Sequence, residues 1–257
     1  MFKVLALILV FSGIPVQATA ATEEVDLELV LAVDMSGSID MEEARVQRSG
    51  YLEALRHPDF ISAVEGGYLG RIAIGYFEWA GLVNQASVMA WQVIADAADA
   101  EAFAAKLEAR PIGTRPWTSI SNAILFGTSF IDSNEFSGVR RVLDISGDGP
   151  NNTGQPVTPA RDAALARGIV INGLAILIRP SASVGPLDQY YADCVMGGPG
   201  SFVLAVHEPE DFAVAIRQKL ILEVSGLSRA SSLRLAADQP AADCMIGEKL
   251  RPGFLDR

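Results

Sequence analysis

Residues 71–94, RIAIGYFEW then AGLVNQ then ASVMAWQVI, decide how the chain is wound. Arg71–Trp79 and Ala86–Ile94 are runs of β-branched and aromatic residues, which favour strands. The link Gly81–Asn84 is too short to hold a crossover helix, so the two runs form an antiparallel hairpin. Outward from this hairpin, strands alternate with helices. Leu27–Val33 is a buried-strand run ending at Asp34. Asp40-Met41-Glu42-Glu43 has capping-box character and opens a helix with small or apolar residues at 41, 44, 51, 52 and 55. Ala97–Ala109 is a second helix, and Thr118 opens a third with Ile120, Ala123, Ile124, Gly127 and Ile131 along one face. Val139–Ser146 is the fourth strand, followed by a helix begun by Thr158-Pro159 and ended by Gly168. Ile169–Ile178 and Phe202–Val206 are the last strands and Pro209–Val224 the last long helix. The pattern is α/β, a doubly wound, mostly parallel sheet covered on both faces.

The hairpin also fixes which loops share a face. With the end of strand one called the top, helix one runs down, strand two up, strand three down and the next helix up. Thr118 is therefore at the top, and by the same count so is Asp148. Asp34, Ser36, Ser38, Thr118 and Asp148 then emerge where open α/β sheets bind ligands, beyond the carboxyl ends of the strands. Two carboxylates and three hydroxyls make an oxygen-only set suited to a hard cation, Mg2+ before zinc or copper, with Mn2+ or Ca2+ as alternatives. Asp144 shares strand parity with Asp148. It reads either as an acid just behind the ligands or as a buried carboxylate satisfied by backbone or by Arg141.

Residues 1–20 read as a secretory signal: Lys3, an apolar run Val4–Phe11, and the small residues Ala18-Thr19-Ala20. An uncleaved anchor is the alternative, although the run is shorter than the roughly 20 residues a membrane span needs. Cleavage leaves 237 of 257 residues and takes the formal charge from −11 to −12. That is enough chain for one α/β core, and no other segment reads as a membrane span. The acidity disfavours nucleic acid and anionic lipid as partners. Cys194 and Cys244 allow one intramolecular disulfide in an oxidising compartment, tying the C-terminal tail to the loop before Gly197; separate thiols or a bond between chains are the alternatives.

The motif Asp34-x-Ser36-x-Ser38 at the end of a first strand, with Thr118 and Asp148 placed as above, resembles the von Willebrand factor type A domain and its metal-ion-dependent adhesion site. The likeness covers residues 26–225, with 226–257 as a tail lacking clear periodicity. Glu78-Trp79, Arg140-Arg141-Val142, Ser146–Asn152 and Ile171–Leu174 are similar to exported single-domain bacterial members of that family. The resemblance implies a six-stranded sheet of order 3-2-1-4-5-6 with strand three antiparallel at an edge. It implies ligation by Ser36, Ser38 and, with ligand engaged, Thr118, with Asp34 and Asp148 holding the ion directly or through water. It further implies metal-dependent protein binding outside the cytoplasm, the partner presenting an Asp or Glu carboxylate, and a last helix able to shift. Arg115-Pro116-Trp117 departs from the small residues usual before that threonine. It reads as a stiff or covering loop, and Trp117 as a partner contact or a core residue.

Catalytic chemistry is not expected. Only His57 and His207 exist, and neither stands beside a serine as a base would; surface or capping roles suit them. The alternatives to a binding module are a Mg2+-dependent phosphate-ester hydrolase at the same ion, or a module whose ion only ties loops together. Asn151-Asn152-Thr153 also matches a glycosylation acceptor, a pattern with many false positives.

Overall fold

The computed structural model describes residues 22–179, 183–226 and 241–251; the signal segment 1–20 lies outside them. In chain order the elements are β1 (Glu23–Asp34), α1 (Met41–Arg56), α2 (Pro58–Glu65), β2 (Ile72–Trp79), β3 (Met89–Ile94), α3 (Ala97–Glu108), α4 (Ile120–Asp132), β4 (Phe136–Gly147), α5 (Val157–Leu165), β5 (Ile169–Ile176), α6 (Leu187–Tyr190), β6 (Val203–Val206), α7 (Phe212–Ser225) and α8 (Ile246–Leu250). The sheet order is β3-β2-β1-β4-β5-β6. Every neighbouring pair is parallel except β2 with β3, whose antiparallel register runs from Ile72 opposite Ile94 to Tyr76 opposite Met89. The hairpin reading of residues 71–94 holds.

Strand alternation divides the core in two. Leu27, Leu29, Leu31 and Val33 face α1, α2, α3 and α7. Val30 and Ala32 face α4, α5 and α6. Helix α1 begins where the sequence placed it: Asp40 accepts from the Glu42 and Glu43 amides, and the Glu43 side chain returns to the Asp40 amide. At Gly50 α1 and α7 approach closely, a Cβ there lying 2.9 Å from Ile216 Cδ1.

Several boundaries differ from expectation. Helix α2 was not expected, its eight residues being too few for a clear period; His57 takes one of the roles expected of it, its ring accepting from the Asp59 amide and capping α2. Strand β3 starts at Met89 because a 3-10 turn takes Gln85–Ser87. Helix α5 begins at Val157, ahead of the Thr158-Pro159 cap expected. Residues Leu187–Val195, unassigned in sequence, form α6 and a following π-helical turn. The tail is not featureless either: residues 241–251 pack back on the domain and include α8. Among the described residues no helix is long and apolar enough to cross a membrane.

Candidate metal centre

Strand β1 delivers Asp34 fully buried, and the Ser36 amide donates to its Oδ1 at 2.7 Å. This closes a tight turn, since the Ile39 amide bonds the Ser36 carbonyl at 3.0 Å and leads into the α1 cap. Ser36 Oγ lies 3.1 Å from Ser38 Oγ, which donates to Asp148 Oδ1 at 2.7 Å. Four of the five residues named from sequence thus form one hydrogen-bonded chain, Asp34–Ser36–Ser38–Asp148. Thr118 joins it by sharing a cavity of about 230 Å³ with Ser38 and Asp148.

Hydrogen bonds between the loops add to this arrangement. Arg115 N donates to the Met35 carbonyl at 2.9 Å, tying the Thr118 loop to the Asp34 turn. Thr118 N donates to Asn152 Oδ1 and Asn152 N to the Thr118 carbonyl, both at 2.9 Å. Gly147 is required at the end of β4: a Cβ there would stand 2.5 Å from Tyr191 Oη and 2.8 Å from Asp34 Oδ2.

The electrostatics are unbalanced. Burial, and after it the charge of Asp148, pushes the Asp34 carboxyl well above the usual range, and burial raises Asp148 too. Asp34 Oδ2 is buried with no hydrogen-bond partner, an expensive state for a carboxylate oxygen. A small divalent cation supplies the missing charge and directional partner, so the donor set fits one. Among the described residues no group of three His, Cys, Asp or Glu side chains forms an alternative centre.

Asp144 is not drawn to these loops. It makes a buried 2.6 Å ion pair with Lys219 of α7, while Arg141 binds Asp132 at 2.9 Å. Lys219 also pairs with Glu223 at 2.5 Å, so one ammonium serves two buried acids. Burial first, then the charge of Asp144, pushes Glu223 up to about 7 from an unfolded value of 4.5. With the folded value raised, the stability Glu223 contributes is complete below about 4.5 and is lost as pH rises through about 7. Glu223→Gln cannot ionise, so its Tm relative to the wild type should climb between about pH 4.5 and about pH 7 and level off above. A difference that stays constant over that interval would refute this.

Two roles escaped the sequence. Asn151, fully buried, is a hub: its Oδ1 accepts from Ser121 N at 3.0 Å at the start of α4, and its Nδ2 donates to Glu248 Oε1 of α8 at 2.7 Å. That burial rules out the glycosylation reading of Asn151-Asn152-Thr153. Glu248 sits in a segment without periodicity and gave no signal, whereas the asparagine pair beside Asp148 was visible. The Cys194–Cys244 disulfide forms within the chain and anchors the α8 segment. Trp117 is not a core residue. It is 48% exposed, has a φ of 70°, and stacks under the Arg251 guanidinium 4.4 Å from its ring centroid.

A family described as protein of unknown function (DUF1194) matches residues 24–228. No curated protein matches the chain. Among solved structures, proximal thread matrix protein 1 from the mussel byssus, with a zinc-occupied MIDAS motif, is 14% identical with a TM-score of 0.58, covering 80% of this chain and 50% of its own. A von Willebrand factor type A protein from Catenulispora acidiphila is 14% identical with a TM-score of 0.53, covering 78% and 43% respectively. BatB from Bacteroides thetaiotaomicron is 19% identical with a TM-score of 0.52, covering 78% and 99%. The chain thus spans about half the length of the mussel protein. The fold is that of a von Willebrand factor type A domain.

Proposed function

The chain belongs to the DUF1194 family, and we propose that this member is a divalent-cation-dependent protein-binding module that works outside the cytoplasm. The observation that carries the reading is the hydrogen-bonded run Asp34–Ser36–Ser38–Asp148 with Asp34 Oδ2 buried and unpartnered. Ser36, Ser38 and Thr118 would hold the ion through hydroxyls, and Asp34 and Asp148 directly or through water. Mg2+ is the first choice and Mn2+ or Ca2+ the alternatives; the mussel protein's zinc shows that a related fold takes another divalent ion. Bound there, the cation supplies an electrophilic point for one further anionic oxygen. Ser38 is exposed and Asp148 half-buried, so that oxygen comes from outside, best as an Asp or Glu carboxylate of a partner.

Two observations favour binding over the alternatives. The loops are already joined through Arg115–Met35 and Thr118–Asn152, so an ion is not needed merely to tie them. Among the described residues no histidine or lysine lines the shared cavity, and hydrolysis would need a proton carrier separate from the residues holding the ion. Export is supported by residues 1–20 and by the disulfide, which persists in oxidising compartments.

Calorimetric titration with Mg2+ and Mn2+ tests the ion site. Ser36→Ala is expected to weaken binding at least tenfold, since even outer-shell losses at metal sites cost about 10–100-fold. Absence of any divalent-ion binding to the wild type would end the reading. Turnover of a phosphate ester with the ion present would transfer the site to the hydrolase class.

A further inference from the structure

Tyr191 opens the π-helical turn that follows α6 and is fully buried. Two glycines of the sheet make room for it. A Cβ on Gly173 of β5 would fall 2.9 Å from its Cδ1, so the ring rests on bare backbone there. A Cβ on Gly147 of β4 would fall 2.5 Å from its hydroxyl oxygen. That same Cβ would stand 2.8 Å from Asp34 Oδ2. The phenol therefore crosses β5 and ends over β4, where its oxygen and Asp34 Oδ2 border the space that one glycine leaves open.

Both atoms are short of a partner. Tyr191 Oη and Asp34 Oδ2 are each buried without a hydrogen bond. Leaving a buried hydroxyl unpaired is costly, and a phenylalanine side chain would fill the same space without that cost. The adjacent tyrosine shows the ordinary case, since Tyr190 Oη accepts from the Asn151 amide at 3.2 Å. The two unpaired groups are chemically matched: a neutral phenol carries one donor, and a carboxylate oxygen has two lone pairs to accept it. Asp34 Oδ1 is already held by the Ser36 amide at 2.7 Å. A donor on Oδ2 would fix the second oxygen and with it the rotation of the carboxylate plane.

We propose that Tyr191 is a positioning residue of the ion site. With the cation bound, its hydroxyl donates to Asp34 Oδ2, directly or through one water, and keeps that carboxylate turned for its role toward the ion. This deepens the function proposed above and rests on it. Ligating carboxylates are commonly held by such outer hydrogen bonds, whose loss typically costs about 10–100-fold in metal affinity.

Tyr191→Phe separates this role from packing, because the two differ in what they predict without the ion. The substitution removes one oxygen, and in the ion-free protein that oxygen has no partner, so the Tm in chelator should equal or exceed that of the wild type. Calorimetric titration should nevertheless show Mg2+ bound about tenfold more weakly, and the rise in Tm on adding Mg2+ should shrink to match. Equal Mg2+ affinity in the two proteins overturns the proposal. So does weaker affinity accompanied by a lower Tm in chelator, which would make Tyr191 a packing residue whose loss loosens the loops. Near-ultraviolet absorption supplies a second readout. Mg2+ should move wild-type tyrosine absorption to longer wavelength, as donation by a phenol does, and the shift should be missing from Tyr191→Phe; no shift, or the same shift in both, also overturns it. The function reading fails separately, on the wild type alone, if that protein takes up no divalent ion.

Discussion

Arg48→Met is expected to destabilise the domain by about 3–5 kcal/mol, the usual cost of removing one partner from a buried ion pair. Arg48 and Glu78 are 4% and 1% exposed. The guanidinium pairs with Glu78 on β2 and also donates to the Leu107 carbonyl at 2.9 Å and the Arg110 carbonyl at 3.2 Å. Losing it strands a buried carboxylate whose remaining side-chain donor is Tyr76 Oη at 3.1 Å, and takes one donor each from two carbonyls at the end of α3. Urea denaturation of the single variant, read beside Arg48→Met/Glu78→Leu, checks the cause. The pair replaced by apolar side chains should recover most of the loss, because the stranded charge and not the missing contact dominates. A double variant as unstable as the single one would assign the effect to the α3 carbonyls instead.

The second large effect is expected from the disulfide. The Cys194→Ser/Cys244→Ser variant should lose about 2–4 kcal/mol, as for other disulfides that close long loops; this one spans 50 residues. Its more specific consequence concerns the ion. Cys244 anchors the segment carrying Glu248, which accepts from Asn151 Nδ2, and Asn151 in turn holds the first turn of α4 through Ser121 N. Gly247 lies against the Asn151 carbonyl so closely that a Cβ would fall 2.2 Å from it. The tail therefore buttresses the loop between Asp148 and Asn152 and, through Asn152, Thr118. Mg2+ affinity is expected to fall about tenfold in the variant and equally in reduced wild type, the scale of an outer-shell defect at a metal site. Unchanged affinity with lowered stability would reduce the tail to simple packing.

Much of this was legible because it depends on local chemistry. The Asp40 capping box, the short Gly81–Asn84 link and the near-continuous apolar run Leu27–Val33 are properties of neighbouring residues, and they determine the helix start, the hairpin and the two-sided burial. From those, chain direction alone placed residues 34–38, 118 and 148 on one face. Helix α2 was missed because eight residues seldom show a period, and α6 because a π-helical turn interrupts it.

What the chain alone determined, then, is the winding of the sheet and the face on which the five oxygen-bearing residues gather, since both follow from periodicity and loop length. Which partner each buried charge takes was decided only in three dimensions. Asp144 chose Lys219 over the adjacent Arg141, and Asn151 chose Glu248, 97 residues away. A carboxylate or amide in the core is satisfied by whichever distant donor or acceptor the packing brings within about 3 Å, and sequence spacing carries no record of that distance.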